Sequence, residues 1–568
     1  MRTAKGSIVK TNNNRLLFNG DCSFLFTGIY QENSEERFTR DTLHHFIDLL
    51  AASGVDTYIQ NPNAQKPWYP SRALPPVWEG YTRGDREFFR GNYPSTNDTF
   101  FTKEKLNNCL TENVKFLNRY VDLLEDNVDW LKEISQACRR NQISPWVSVR
   151  MNDAHGAVNW EKSYMNCDLQ KDARYRLSGR VLGLCDAVSP SQQLLNYEHR
   201  EVRNYYFAMM RELVEEYDYE GLELDWLRGP SCCEPPAAKS TLDMMTDWIS
   251  QIRELTNRKA EKNGRPYMLG LRIPVRLDTM KTIGLDIAAL AQNGLIDYIA
   301  PSNFWQTTWD VPYEELQAEV GDTVSIYGVI ENAPNWLSCD VAPEFSSADF
   351  HINPSSHRCL SASAELLRGN SAGKLAQGAD GIYMYNFFCT DEPLHNPNPE
   401  IKQAKYASLS DLHNLNALRS KPKHYTLSTG NDSRMHPFFE FADQLPVTLE
   451  VGEQRAFTIS MCAETVMPDT TLELCVQIVL KGNQHTSQIS VSFNGCLPNC
   501  DAKITNELVF PTGVFTHHRK ENQALNFYFS AQQIKEGWNE VRIFNTNVGD
   551  VKTALVHIIS LELAVKYK

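Results

Sequence analysis

A (β/α)8 barrel (TIM barrel) over residues 1–420, followed by an all-β sandwich over 421–568, is the α/β fold class the sequence predicts, and three observations predict it. Up to about residue 420, short apolar runs alternate with helix-period segments through eight rounds, the texture of a closed parallel sheet. Beyond 420 the helices stop, and β-branched and aromatic runs separated by Gly, Asn, Asp and Pro take over. No strand-to-helix turn carries the Gly-rich pattern that cradles a dinucleotide or phosphate, which sets aside a doubly wound open sheet and nucleotide cofactors.

In chain order, the apolar run 23–30 predicts the first strand, and 39–53 a helix with Leu43, Phe46, Leu49 and Leu50 on one face. Strand 55–60 follows, then an insertion at 61–101 too rich in Pro and Gly for a helix and too aromatic for disorder. Because it leaves from a strand's C-terminal end, it is expected to roof the barrel mouth. Val114, Leu117, Val121, Leu124, Val128 and Leu131 predict one long helix over 111–141 before strand 144–150. Helices 198–217, 242–262 and 277–295 precede strands 221–225, 268–273 and 296–300. Helices 312–320 and 362–377 precede strands 324–330 and 381–385, and 405–418 supplies a last helix.

Composition narrows the partners. The formal net charge of -14 argues against a nucleic-acid surface and against attraction to anionic lipid, and suits a neutral or cationic ligand. No apolar run reaches membrane-spanning length, and the first residues lack the apolar core of a secretory signal. The 14 cysteines are scattered, often on apolar elements, and Cys232 adjoins Cys233; they read as reduced thiols, so a cytoplasmic location is expected. Neither CxxC nor HExxH occurs, and Cys496 to Cys500 reads as a turn, so no metal site is predicted.

The chemistry is concentrated in the run Tyr219-Glu220-Gly221-Leu222-Glu223-Leu224-Asp225-Trp226-Leu227-Arg228. With a side-chain period of two, Glu223 and Asp225 share one face of the strand and Leu222, Leu224 and Trp226 the other. Inward carboxylates are tolerated at the C-terminal mouth of a barrel strand because function needs them there; their structural alternative is pairing with inward arginines. The other strand ends are also polar, with Asn61 on strand two and Arg150, Asn152, Asp153 and His155 on strand three. Arg272 lies on strand five, Asn303 and Trp305 follow strand six, Glu331 ends strand seven and Tyr385 strand eight. Two carboxylates flanking a glycosidic bond hydrolyse it, one protonating the leaving oxygen while the other attacks the anomeric carbon or activates water. Asp225 and Glu331, with Glu223 as alternate, sit where such groups are needed. Arg150 and Arg272 would keep a neighbouring carboxylate ionised or bind an acidic sugar. The remaining polar ends, with Trp226 and Arg228, are candidates for holding a carbohydrate.

GLELDWLR on the fourth strand resembles the GIxxDxxR-type strand of the family-10-like glycosyl hydrolase group, which implies a TIM-barrel glycosidase with Asp225 as its catalytic or sugar-contacting carboxylate. The large retaining clan with glutamates on strands four and seven has Asn-Glu where this chain has Leu-Asp. Its mechanism does not carry over intact, and Glu331 is assigned by strand position alone. The order Val491-Ser492-Phe493-Asn494-Gly495, then Gly537-Trp538-Asn539-Glu540-Val541, then 558–565 resembles galactose-binding-like jelly-roll modules, for which a docking role is expected here ahead of sugar binding. Two further readings stand beside hydrolysis: a non-catalytic glycan-binding or scaffold barrel, and, ranked below both, metal-assisted hydrolysis through Asp153, His155 and Asp225.

Overall fold

The computed structural model describes residues 14–567 except 22–24, 28–30, 32–35, 94–102, 154, 157–160, 179–193, 228, 303–306, 308, 310, 332–334, 337–358, 361–362, 386, 388–405, 428–443, 466–469, 482–487, 506–508, 511–522 and 549–553. Eight parallel strands close on themselves: β1 (Arg15–Gly20), β2 (Thr57–Gln60), β3 (Ser144–Arg150), β4 (Gly221–Asp225), β5 (Met268–Ile273), β6 (Tyr298–Pro301), β7 (Ser325–Glu331) and β8 (Gly381–Tyr385). Each pairs with the next, and β8 with β1. Around them run α1 (Arg40–Ala52), α2 (Lys103–Glu125), α3 (Trp130–Arg140), α4 (Arg200–Glu216), α5 (Lys239–Asn263), α6 (Leu277–Thr282), α7 (Ile287–Gln292), α8 (Tyr313–Val320) and α9 (Ala364–Ala376).

Alternate residues of each strand face inward, and the interior is filled largely by aromatic rings: Trp146, Tyr298, Tyr327, Tyr383 and Tyr385, with Leu17, Ile59, Ala300 and Val329. Room for them comes from two inward glycines. A Cβ on Gly221 would meet the Trp146 ring at 2.6 Å, and one on Gly270 the Tyr298 ring at 2.0 Å. The outward set joins the helices in a separate, larger core.

The lower rim carries a repeated device. The residue before each even-numbered strand is acidic: Asp56, Glu220, Asp297 and Asp380. Asp56, Asp297 and Asp380 accept from the backbone N–H of Leu16 (2.7 Å), Leu269 (2.8 Å) and Ile326 (2.8 Å) on the preceding strand. Their own N–H groups donate to the carbonyls of those same residues. Each pair of bonds locks a strand register. Before β4 the facing residue is Pro145, which has no N–H to offer; there the acid is the longer Glu220, which accepts from the Ser144 hydroxyl and from Arg139 (2.8 Å).

Four elements differ from expectation. The first strand is Arg15–Gly20, not 23–30; in the latter run Leu25 and Phe26 pack into the outer core, Phe26 stacked 3.7 Å from Tyr120 of α2. The helix expected over 111–141 is two helices, α2 and α3. Asn127 takes φ +56 between them and the Asn127 and Val128 N–H groups cap the carbonyls of Leu124 and Leu123, yet Val121, Leu124, Val128 and Leu131 keep the three- and four-residue spacing across the break. Residues 277–295 are likewise split into α6 and α7 around Gly284, where φ is +116 and a Cβ would lie 2.9 Å from that of Cys232. The last helix, expected over 405–418, is interrupted: Tyr406 and Ala407 are helical, turns follow, and Leu415–Leu418 forms a separate short helix.

The C-terminal strands are β9 (Lys423–Thr426), β10 (Val447–Leu449), β11 (Gln454–Met461), β12 (Leu472–Leu480), β13 (Ile489–Phe493), β14 (Lys503–Thr505), β15 (Gln523–Ser530), β16 (Gly537–Asn545) and β17 (Val556–Tyr567). They form two antiparallel sheets, ordered β9-β17-β12-β15-β14 with β10 also on β17, and β11-β16-β13. Their shared core includes Phe457, Ile459, Leu474, Ile478, Phe527, Val541 and Leu561. Helix α9 lies between barrel and sandwich: Leu367 joins the barrel's outer core while Leu366 and Ala372 join the sandwich core. Gly369 and Gly373, one turn apart, allow this, because a Cβ would meet the His424 carbonyl at 2.1 Å and the Ser460 carbonyl at 2.6 Å.

Candidate active site

Side chains projecting inward near the strands' C-terminal ends form two levels. The lower is centred on Glu223, wholly buried. It accepts hydrogen bonds from Ser148 (2.7 Å), Tyr383 (2.8 Å) and Tyr298 (3.1 Å), and Tyr383 in turn accepts from the Asn19 amide at 2.7 Å. Burial pushes the Glu223 carboxyl up to about 7; the Asp225 charge adds to this, and Ser148, Arg272 and Tyr383 partly oppose it.

One residue pair higher, Asp225 and Glu331 are each 2 % exposed, and the wholly buried Arg272 lies between them. Its Nη1 is 3.2 Å from Asp225 Oδ2 and its Nη2 3.7 Å from Glu331 Oε1. The guanidinium carbon lies over the Tyr385 ring, 3.2 Å from its centroid. Burial opposes the Arg272 charge, but Tyr385, Asp225, Tyr383 and Glu331 outweigh it and hold the group above an ordinary arginine. The Leu227 N–H donates to Asp225 Oδ1 at 3.0 Å, and the Glu331 N–H donates to Thr307 at 2.9 Å. A backbone N–H thus orients the Asp225 carboxylate, Thr307 ties the Glu331 main chain, and one cation lies against both carboxylates.

Arg150, the residue in register with Asp225, turns the other way. It pairs with Asp21 and, at 3.3 Å, with Asp153. Burial alone would raise the Asp153 carboxyl, but His155, whose Nδ1 is 2.7 Å away, and Arg150 together hold it well below the usual carboxylate range. The His155 side chain is 47% exposed, so this chain of charges runs from the interior to the rim.

Other predicted positions serve different ends. Asn61 donates to the Ser148 carbonyl at 2.8 Å and so ties β2 to β3. Asn152, expected to hold substrate, is fully buried and braces loops: it donates to the Leu195 and Ser231 carbonyls at 3.0 and 3.1 Å and accepts from the Leu195 N–H at 2.8 Å. Trp226, also expected to hold substrate, is fully buried in the outer core, 5.0 Å from the Tyr197 ring, on the face of β4 opposite the carboxylates. The insertion, described as far as Tyr93, likewise places its rings in the outer core: Trp68 and Trp78 pack on Tyr120, and Phe88 and Phe89 on Tyr164. Its first residues instead clamp β3, Asn63 exchanging hydrogen bonds with the Arg150 backbone at 3.0 Å each. Arg228, Asn303 and Trp305 lie outside the described residues.

Sequence reasoning did not single out Ser148, Tyr298 and Tyr383 around Glu223, or Asp21 beside Arg150. The period-two rule that places Tyr385 inward places Tyr383 inward as well, so that signal was present. Asp21 follows the true first strand and was hidden by assigning that strand to 23–30. Nine cysteines are free thiols among the described residues, and no described helix is long and apolar enough to cross a membrane.

No family model and no curated protein matches the chain. Among solved structures it is similar to a putative alpha-L-fucosidase from Bacteroides thetaiotaomicron, at 10% identity and TM-score 0.34 over 97% of this chain and 95% of that one. It is similar also to an Anoxybacillus alpha-amylase, at 10% identity and TM-score 0.36 over 95% and 100%. A third is a maltogenic alpha-amylase from Thermotoga neapolitana, at 10% identity and TM-score 0.36 over 96% and 98%. At these values the architecture rests on the strand order described above.

Proposed function

We propose that the protein is a glycoside hydrolase acting on an oligo- or polysaccharide, with Asp225 and Glu331 as its reacting carboxylates. The observation that carries this reading is the single buried guanidinium of Arg272 touching both groups where the barrel strands end. Two carboxylates within one guanidinium's reach stand less than about 10 Å apart, inside the range that glycoside hydrolysis uses. Asp225, with the shorter contact to Arg272 and a backbone N–H on the same carboxylate, is the ionised group that faces the anomeric carbon. Glu331, ionised beside Arg272 at rest and held at the longer distance, is the group that takes up a proton with the substrate, delivers it to the leaving oxygen and recovers one from water when the bond to water forms. Tyr385 keeps Arg272 from following either carboxylate.

A screen of aryl glycosides and polysaccharides with product analysis tests the class of reaction. Asp225→Asn keeps the shape and removes the charge, so turnover should be abolished while the fold persists. Glu331→Gln should slow substrates with poor leaving groups most, since these need protonation most. Near-wild-type turnover in Asp225→Asn would sink the assignment. One observation favours a second reading, a barrel that binds a glycan or serves as a scaffold: Asp225, Glu331 and Arg272 are all at or below 2 % exposure, as a purely structural ion triad would be. Under that reading no substrate is turned over and Asp225→Asn changes stability alone.

A further inference from the structure

Among the described residues, Glu223 makes no ion pair, and all three of its hydrogen bonds come from hydroxyls. That choice of partners has a chemical meaning. A guanidinium can only donate and so commits a carboxylate to its charged form, whereas a hydroxyl can donate or accept and satisfies a carboxyl in either state. With a proton on Oε2, Glu223 donates to the Tyr298 oxygen while Ser148 and Tyr383 continue to donate to Oε1. Without it, all three hydroxyls donate.

The groups facing Glu223 are few. Ser148 comes from β3, Asp225 from its own strand, Arg272 from β5, Tyr298 from β6 and Tyr383 from β8. Tyr383 is held by Asn19 of β1, and the Tyr327 ring of β7 lies 5.4 Å from that of Tyr298. Burial keeps the Tyr298 and Tyr383 phenols far above their ordinary range, so they remain neutral. Among the described residues, the charges that bear on Glu223 are therefore Asp225 and Arg272, both members of the upper level.

We propose that Glu223 is a positioning residue that stores a proton beneath the reacting pair and, by holding it, keeps Arg272 engaged with Asp225 and Glu331. When Glu223 ionises, a second anion on the same face of β4 repels Asp225 and competes for the guanidinium, and the upper level loses its arrangement. Burial and the Asp225 charge, which move the Glu223 carboxyl up to about 7, place this change near neutral pH. The proposal rests on the reading of Asp225 and Glu331 as reacting groups, but its first test does not depend on activity.

Infrared difference spectra of the full chain with carbon-13-labelled glutamate should show a protonated carboxyl band that persists to about pH 7 and is missing in Glu223→Gln. If Glu223→Gln does not fold, Glu223→Asp, which carries no labelled carboxyl at this position, should remove the same band. A band lost near 4.5 with the ordinary glutamates would overturn the stored proton, whether or not the protein hydrolyses sugars. The second test is the pH profile of kcat on whichever glycoside the screen finds. Wild-type kcat should fall as pH rises through about 7. Glu223→Gln, which mimics the protonated form, should move that limb upward by about one pH unit or more, with less than about tenfold loss on its acid side and KM little changed. An unmoved limb in folded Glu223→Gln would overturn the positioning role while leaving the Asp225 assignment intact.

Discussion

Replacing Arg272 by methionine tests the centre of the site most directly, because it removes one charge and leaves the packing volume nearly filled. In the wild type the guanidinium has no exposure, and Asp225 and Glu331, its partners at 3.2 and 3.7 Å, have only 2 % each. Deleting one partner of a buried ion pair strands the other in a medium that cannot solvate it, which typically costs about 3 to 5 kcal/mol. Two stranded carboxylates facing each other relieve this by sharing a proton. The sign follows: the folded variant then binds a proton that the unfolded chain has already lost, so its stability rises as pH falls from 7 toward 5. Two pH units return at most about 3 kcal/mol for one proton. Urea midpoints of wild type, Arg272→Met and Asp225→Asn/Arg272→Met at both pH values make the measurement. Arg272→Met should lose most of its midpoint at pH 7 and recover much of it at pH 5, and the double variant should be more stable than the single at pH 7. An Arg272→Met protein as stable as wild type at pH 7, or equally unstable at both values, would refute the described triad.

Three further outcomes follow from named contacts. Asn152→Ala leaves the Leu195 N–H and two loop carbonyls unsatisfied, so it should lower stability by roughly 1 to 3 kcal/mol in urea unfolding, while KM for a glycan is little changed. Gly369→Val forces a side chain toward the His424 carbonyl, 2.1 Å from an ideal Cβ, and should lower the melting temperature by prising α9 from the sandwich, at a cost of about 1 to 3 kcal/mol. Folded Glu223 holds its proton up to about 7, against about 4.5 for the unfolded chain, so its contribution is complete below 4.5 and is lost as pH rises to 7. The expected span is roughly 3 kcal/mol, and the unfolding free energy of Glu223→Gln should lack that slope.

The barrel was legible because its strands are short apolar runs set between helical periods. Strands β3, β4, β5 and β8 begin and end where the sequence places them. The first strand was not, since two apolar runs, at 15–20 and 23–30, compete within a few residues and alternation alone cannot choose between them. That error propagated into the site: with the strand misplaced, Asp21 had no position at the mouth, and Arg150 was expected near Asp225. Trp226 shows the reverse. The parity that turns Glu223 and Asp225 inward turns Trp226 outward, so its inclusion among sugar-holding residues went against the rule on which the carboxylates themselves relied. The break between α2 and α3 was invisible for a physical reason, because the spacing of apolar residues, Val121, Leu124, Val128 and Leu131, runs through the turn at Asn127.

The sequence left open whether the inward arginines receive an acidic sugar or hold carboxylates, and the charge balance of the mouth bears on that choice. Among the described residues, Arg150 faces Asp21 and Asp153, with His155 also on Asp153, and Arg272 faces Asp225 and Glu331, so that two arginines and one histidine meet four carboxylates. A uronate or sulfate entering this ring would have to displace a carboxylate already in contact and would add to an existing excess of negative charge. A neutral sugar meets no such opposition. Its transition state, in which positive charge develops on the ring, is drawn to the same excess. The two arginines then divide the work by position. Arg150, with Asp153 and the half-exposed His155, organises the rim, while Arg272, fixed on Tyr385, spaces Asp225 from Glu331.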